Sequence, residues 1–361
     1  VKFGPIPVAD ALGAIVAHRV RTHEIVLKKG QTIQSSDIGA LTRGGVSEIV
    51  AARLEPGDIG EDEAARRLAM RLAGEHIRQD RPFTGRVNLH AARAGLVMID
   101  EAAAAAVNGV DEAITFATLA PFRAVAAGDM VATIKIIPFA VGGEALCRAM
   151  DAAGDRLTIA PFRPLRVGVI STTLPGLKAA VIAKTLEALR ARLDIAGATI
   201  AADLRVPHEP GALSEALTKL AARCDLLIVF GASAITDRRD VIPAAIEAAG
   251  GRVDHFGMPV DPGNLLLLGE LAGKPVIGAP GCARSPKENG FDWVLQRILA
   301  DIPPTRADIQ RMGVGGLLME IVSRPQPRVI GTPAAAPGFP DDEPSPPRAP
   351  FAKHAIPADH G

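Results

Sequence analysis

Small residues, two carboxylates and two guanidiniums crowd one stretch of the chain, Gly231-Ala232-Ser233-Ala234-Ile235-Thr236-Asp237-Arg238-Arg239-Asp240. Asp237 and Asp240 are oxygen donors of the kind Mg²⁺ accepts. Arg238 and Arg239 suit a phosphate, and the small Gly231, Ala232 and Ser233 let backbone N–H groups approach an anion. Such a set holds a phosphorylated ligand and a hard cation rather than activating a nucleophile. The same residues also suit a plain turn, with Asp240 capping the next helix and both arginines solvated. Another stretch, Ser171-Thr172-Thr173-Leu174-Pro175-Gly176, offers hydroxyls and free N–H groups to a phosphate, or simply caps a helix. Two Pro-Gly turns complete the set: Met258-Pro259-Val260-Asp261-Pro262-Gly263-Asn264, and Ala279-Pro280-Gly281-Cys282-Ala283-Arg284-Ser285-Pro286-Lys287. In the second, Arg284, Ser285 and Lys287 place positive charge and a hydroxyl at the mouth of a helix. Cys282 has only His255 as a nearby histidine, which argues against a catalytic thiol. Neither a GxxxxGK[ST] nor a GxGxxG motif is present.

The elements that must position these loops follow from hydrophobic spacing. Residues 166–171 and 225–230 are short apolar runs, the second continuous enough for a strand covered on both faces. Residues 198–206 and 275–278 are further strands, and 177–193, 214–223, 240–249 and 289–300 have helical spacing. Strands alternating with helices imply a doubly wound, mostly parallel α/β sheet in three layers. Ligand loops in such a sheet lie at the carboxyl ends of the strands, where all four stretches above fall. Upstream the pattern is mixed. Residues 10–20 and 61–73 have helical spacing, a helix begins at Asp100, and 47–54, 113–120, 130–137 and two segments within 83–100 have strand character. The expected organisation is an α+β domain over residues 1–160 and an α/β domain over 161–324. A Pro-rich segment over 325–361 is too poor in large apolar residues to build a core.

Composition narrows the functional classes. The 361 residues carry 40 Lys plus Arg and 40 Asp plus Glu, a balance unsuited to gripping nucleic acid or an anionic membrane. With 11 Phe, one Trp and no Tyr, base stacking over aromatic platforms is not expected either. Hydrophobic residues make up 48% of the chain, enough for a sizeable core, yet no uncharged run approaches the roughly 20 residues of a spanning helix. The first residues lack an apolar signal core, and the three cysteines are far apart, outside any CxxC pattern. These features lead to the expectation of a cytoplasmic protein.

Taken in order, the four loops resemble the molybdopterin-binding domain shared by molybdopterin adenylyltransferases and molybdenum insertases. Arg166-Val167-Gly168-Val169-Ile170-Ser171-Thr172 is similar to that domain's opening strand, and Gly231-Ala232-Ser233-Ala234 with Asp237 and Asp240 to its GG-(S/T)-G loop and downstream acids. Met258 to Gly263 and Gly278-Ala279-Pro280-Gly281-Cys282 resemble its two Pro-Gly segments. Upstream, Leu12-Gly13-Ala14-Ile15-Val16-Ala17 and Leu27-Lys28-Lys29-Gly30 are similar to the entry of the insertase arm. The chain departs from the pattern at Ala232 in place of a paired glycine, at an extra residue between Thr236 and Asp240, and at Cys282-Ala283 in place of Asn-Pro. The acid expected after Ser171-Thr172 is also missing.

The resemblance implies a molybdopterin-binding protein of molybdenum cofactor biosynthesis. Ligand contacts would come from Ser171, Thr172, Gly231, Ala232, Ser233, Arg238, Arg239, Asp261, Pro262, Gly263, Pro280, Gly281 and Ser285. Asp237 or Asp240 would hold Mg²⁺ and carry catalysis. The reaction would be nucleotidyl transfer to molybdopterin, from ATP or CTP, or metal insertion; the alternative is a non-catalytic carrier or accessory protein. The resemblance also implies a homo-oligomer or a nucleotidyltransferase partner.

Overall fold

The computed structural model describes residues 1–154 and 156–318. The Pro-rich segment expected over 325–361, and the expected end of the α/β domain at 324, lie outside the described residues.

Upstream of residue 162 the described chain builds two separate cores. One gathers Val8, Val16, Leu27, Ile33, Leu41 and Ile49 around a three-stranded sheet of Lys2–Pro7, Glu48–Arg53 and Ile15–Val16. The other packs the helix Glu61–Leu72, through Leu68 and Leu72, on a four-stranded antiparallel sheet that includes Arg86–Ala91 and Met130–Ile136. The helix expected over 10–20 does not form. A short 3₁₀ turn at Val8–Asp10 is followed by the strand Ile15–Val16. Gly13 between them sits at φ +76, and the N–H groups of Val16 and Ala17 bond to Gln31 and Val50 carbonyls instead of to the preceding turn. β-branched Ile15 and Val16 fit that extended pairing better than a helix. Two helices that the apolar spacing did not reveal, Ser35–Arg43 and Gly143–Ala152, also belong to this region.

Downstream, six strands form one sheet: β1 (Arg166–Thr173), β2 (Thr199–Pro207), β3 (Leu226–Phe230), β4 (Arg252–Phe256), β5 (Leu267–Leu271) and β6 (Lys274–Ala279). Their spatial order is β2-β1-β3-β6-β5-β4. β2, β1, β3 and β6 run parallel, while β5 is antiparallel to both of its neighbours. Helices α1 (Ala179–Asp194) and α4 (Gly290–Leu299) cover one face through Ile182, Leu186, Leu189, Phe291 and Leu295. Helices α2 (Pro210–Ala221) and α3 (Val241–Ala248) cover the other through Leu213, Leu217, Ile242 and Ile246. This is the expected three-layer α/β architecture with a mostly parallel sheet. Every residue of β3 is buried, as its continuous apolar run requires.

The strand order fixes where a ligand site belongs. From β1 the chain moves through α1 to β2 on one side, then returns through α2 to β3 on the other. The sense of winding reverses between β1 and β3, and helices cannot close the crevice beyond their carboxyl ends. No helix among the described residues is long and apolar enough to cross a membrane.

Candidate functional site

The crevice between β1 and β3 collects Ser171 and Thr172 from the end of β1 with Gly231 and Ala232 from the loop after β3. A side-chain bond closes it: the Ala232 N–H donates to Thr172 Oγ1 at 2.7 Å. Thr172 Oγ1 also lies 2.8 Å from His208 Nδ1, just past the end of β2. Thr172 is buried at 1% exposure and fully engaged. Ser171, equally buried, has an Oγ with no hydrogen-bond partner among the described residues. A buried hydroxyl without a partner is costly, so an orphan at a strand end is a candidate ligand contact. Gly231 is required here by close approach, because a Cβ would stand 2.6 Å from the Ser233 carbonyl oxygen. Ala232 takes part through its backbone N–H, not its side chain.

Arg284 reaches this crevice from the loop after β6. Its Nη2 donates to the Gly231 carbonyl at 2.9 Å and its Nη1 to Thr185 Oγ1 of α1 at 3.0 Å. Its guanidinium carbon lies 5.5 Å from the Phe230 ring centroid. No carboxylate pairs with Arg284 among the described residues, and burial pushes its pKa below the ordinary arginine value. The loop that presents it is clamped from behind. Arg192 of α1 donates to the carbonyls of Ala283, Ser285 and Lys287 and pairs with Asp292 of α4. Both partners of that pair are nearly buried, at 9% and 11% side-chain exposure.

The other expected site residues occupy different roles. Asp240 is the N-cap of α3: its Oδ1 accepts the Val241 N–H at 2.8 Å and its Oδ2 the Thr236 N–H at 3.1 Å. Asp237 accepts from the backbone N–H and Nε of Arg239, both at 2.8 Å, on an exposed surface, and the guanidinium holds its carboxyl below the usual range. Arg238 and Ser233 are exposed. Pro262 and Gly263 are buried against the start of α4, where the Gly290 N–H donates to the Pro262 carbonyl and a Cβ on Gly263 (φ +142) would meet Gly290 N at 2.8 Å. Asp261 exchanges backbone bonds with Gly316 and Leu318. Pro280 is buried, Gly281 exposed in open space, and Ser285 Oγ accepts the Lys287 N–H at 3.3 Å. Among the described residues no group of three His, Cys, Asp or Glu is placed to hold a metal ion.

Three participants were not expected as site residues: His208, Thr185 and Arg192. His208 was signalled weakly, by its position just beyond a strand on the ligand edge. In sequence Arg284 is legible only as charge at a helix mouth. A cleft of about 970 Å³ lies elsewhere, lined by Phe122, Trp293, Arg297, Met312 and Leu318 among others. None of the residues that converge at the β1 and β3 ends lines it, and the convergence of polar groups favours the strand-end crevice.

Comparison with known proteins bears on the whole unit. Residues 152–300 match the model of a family described as a probable molybdopterin binding domain, and residues 5–53 match a domain of unknown function. No curated protein matches the chain. Among solved structures, a molybdopterin biosynthesis MoeA protein from Pyrococcus horikoshii is similar at 14% identity and a TM-score of 0.29, over 83% of this chain and 75% of that one. The molybdopterin biosynthesis enzyme MoaB from Thermus thermophilus is similar at 18% identity and a TM-score of 0.27, over 38% of this chain and 98% of that one. At such low scores these likenesses carry no argument, and the assignment stands on the family match. Residues 152–300 therefore form a domain that matches the family described as a probable molybdopterin binding domain.

Proposed function

We propose that the protein binds molybdopterin in the crevice between β1 and β3, with the ligand's phosphate against Arg284, and acts in this way in molybdenum cofactor biosynthesis. Arg284 carries the reading. A desolvated guanidinium without a carboxylate is costly until an anion reaches it. A guanidinium has five N–H donors, and Thr185 and Gly231 engage two of its N–H groups. The others suit phosphate oxygens in the paired geometry arginine favours. The orphan Ser171 Oγ supports the same placement, as a polar contact at the ligand's edge. In this reading Arg284 is the principal cation, and the exposed Arg238 and Arg239 add at most a screened surface charge.

A non-catalytic carrier or accessory role is favoured by one observation: Asp237 and Asp240 already have partners. In the transferase reading, Mg²⁺ would arrive with a nucleotide and Asp237 or Asp240 would exchange those partners for it. The chemistry would then rest on anion positioning and electrostatic stabilisation. The cytoplasmic setting, a homo-oligomer and a nucleotidyltransferase partner belong to the same proposal.

The test is to incubate the full chain with molybdopterin, Mg²⁺ and ATP or CTP, then separate bound from free pterin and assay the product. Retained pterin without nucleotidylated product supports the carrier, and nucleotidylated product supports the transferase. Failure to retain pterin contradicts both.

A further inference from the structure

Outside the groups that would face a ligand, Thr172 and His208 form an arrangement that the functional reading leaves unused. Three consecutive groups from three elements meet: His208 Nδ1 beyond β2, Thr172 Oγ1 at the end of β1, and the Ala232 N–H after β3. A backbone N–H can only donate, so the Thr172 oxygen is its acceptor. The hydroxyl has one proton of its own to place, and His208 Nδ1 is the acceptor within reach, at 2.8 Å. This satisfies Thr172 completely only if His208 is neutral with its proton on Nε2. The His208 backbone N–H also donates to the Thr173 carbonyl at 3.0 Å, which fixes the histidine against the end of β1.

We propose that His208 is a positioning residue of the ligand crevice, holding the Thr172 hydroxyl so that it captures the Ala232 N–H and sets the Gly231-Ala232-Ser233 turn. The inference rests on the proposed ligand site for its purpose, though not for its geometry. The consequence for recognition is specific. The Ala232 N–H is turned onto Thr172, so phosphate binding draws on Arg284 rather than on that amide. Without His208 the hydroxyl proton has no acceptor among the described residues, Thr172 is free to change rotamer, and the turn that Arg284 grips at Gly231 loses one of its two ties across the crevice.

The first measurement is nitrogen-15 NMR of the full chain labelled at histidine, with the His208 signal identified by its loss in His208→Ala. The expected result is an unprotonated Nδ1 that accepts a hydrogen bond and a protonated Nε2. A protonated Nδ1 in the neutral ring overturns the proposal. The second is hydrogen exchange at the Ala232 amide, with molybdopterin affinity measured on the same samples. His208→Ala should speed that exchange by about tenfold, as loss of one hydrogen bond implies. His208→Asn, whose amide oxygen falls near the place of Nδ1, should restore it. Adding His208→Ala to Thr172→Val should change exchange no further, because the coupling runs through the hydroxyl. Unchanged exchange in His208→Ala, or an additive double variant, overturns the positioning role. Altered exchange in a protein that never binds molybdopterin contradicts the ligand reading and leaves the His208 geometry standing.

Discussion

Arg284 Nη2 donates to the carbonyl of Gly231 at 2.9 Å, and this one bond joins the loop after β6 to the loop after β3 across the open end of the sheet. It gives Arg284 a fixed place without neutralising it. Arg284→Met removes a desolvation cost together with two hydrogen bonds, so the opposing changes offset. The expected change in unfolding free energy is within about 1 kcal/mol, read by urea titration of the full chain. A loss of several kcal/mol would make Arg284 a structural residue first.

Arg192 should behave in the opposite way. It is nearly buried beside Asp292 and supports three carbonyls of the 283–287 loop. Arg192→Met leaves the Asp292 carboxylate without its cation, a change that typically costs about 3–5 kcal/mol. Pairing it with Asp292→Leu should recover part of that loss, as denaturant midpoints would show. A double-variant loss equal to the sum of the losses in Arg192→Met and Asp292→Leu alone would mean that the pair is not coupled.

Asp240→Ala tests the cap against the metal role. Losing the cap of α3 should cost about 1 kcal/mol, whereas Asp240→Asn keeps an oxygen for Val241 and gives up the Thr236 bond. Thermal unfolding should therefore rank wild type, then Asn, then Ala. A Mg²⁺-dependent stabilisation of the wild type that both variants lose would instead place a cation on Asp240.

The Arg166–Asp225 pair at the opposite end of β1 gives a pH prediction. The Arg166 guanidinium and backbone N–H hold the Asp225 carboxyl at about 2, below the roughly 3.9 of an unfolded aspartate. A depressed carboxyl stabilises the fold above its unfolded value, and that contribution disappears as pH falls from about 4 to about 2. Asp225→Asn should be less stable than wild type at neutral pH and should lose less stability over that acidic window. Parallel stability curves for the two proteins across it would contradict the assignment.

What the sequence disclosed and what it hid divide along contact distance. Strand β3 was legible because a continuous apolar run has few other uses, and alternation of strands with helices was enough to place Ser171-Thr172 and Gly231-Ala232 at one sheet edge. The helix expected over 10–20 failed because its apolar spacing was compatible with two periods, and Gly13 with cross-strand partners decided between them. Arg284 gripping Gly231, and Arg192 bracing the loop behind it, link residues far apart in the chain through crossover helices. Local spacing contains no such information, which is why a charge at a helix mouth gave no sign that it reached the crevice. In sequence Asp237 or Asp240 suits a cation, yet the same residues suit a surface ion pair and a helix cap equally well.

The most direct test of the ligand site is equilibrium binding of molybdopterin, followed by pterin fluorescence, to the full chain and to Arg284→Met. The account predicts saturable binding to the wild type, competed by inorganic phosphate, with affinity about 10- to 100-fold weaker in the variant, or roughly 1.4–2.7 kcal/mol. Equal affinity of the two proteins, with both folded, would contradict the placement of the ligand's phosphate on Arg284.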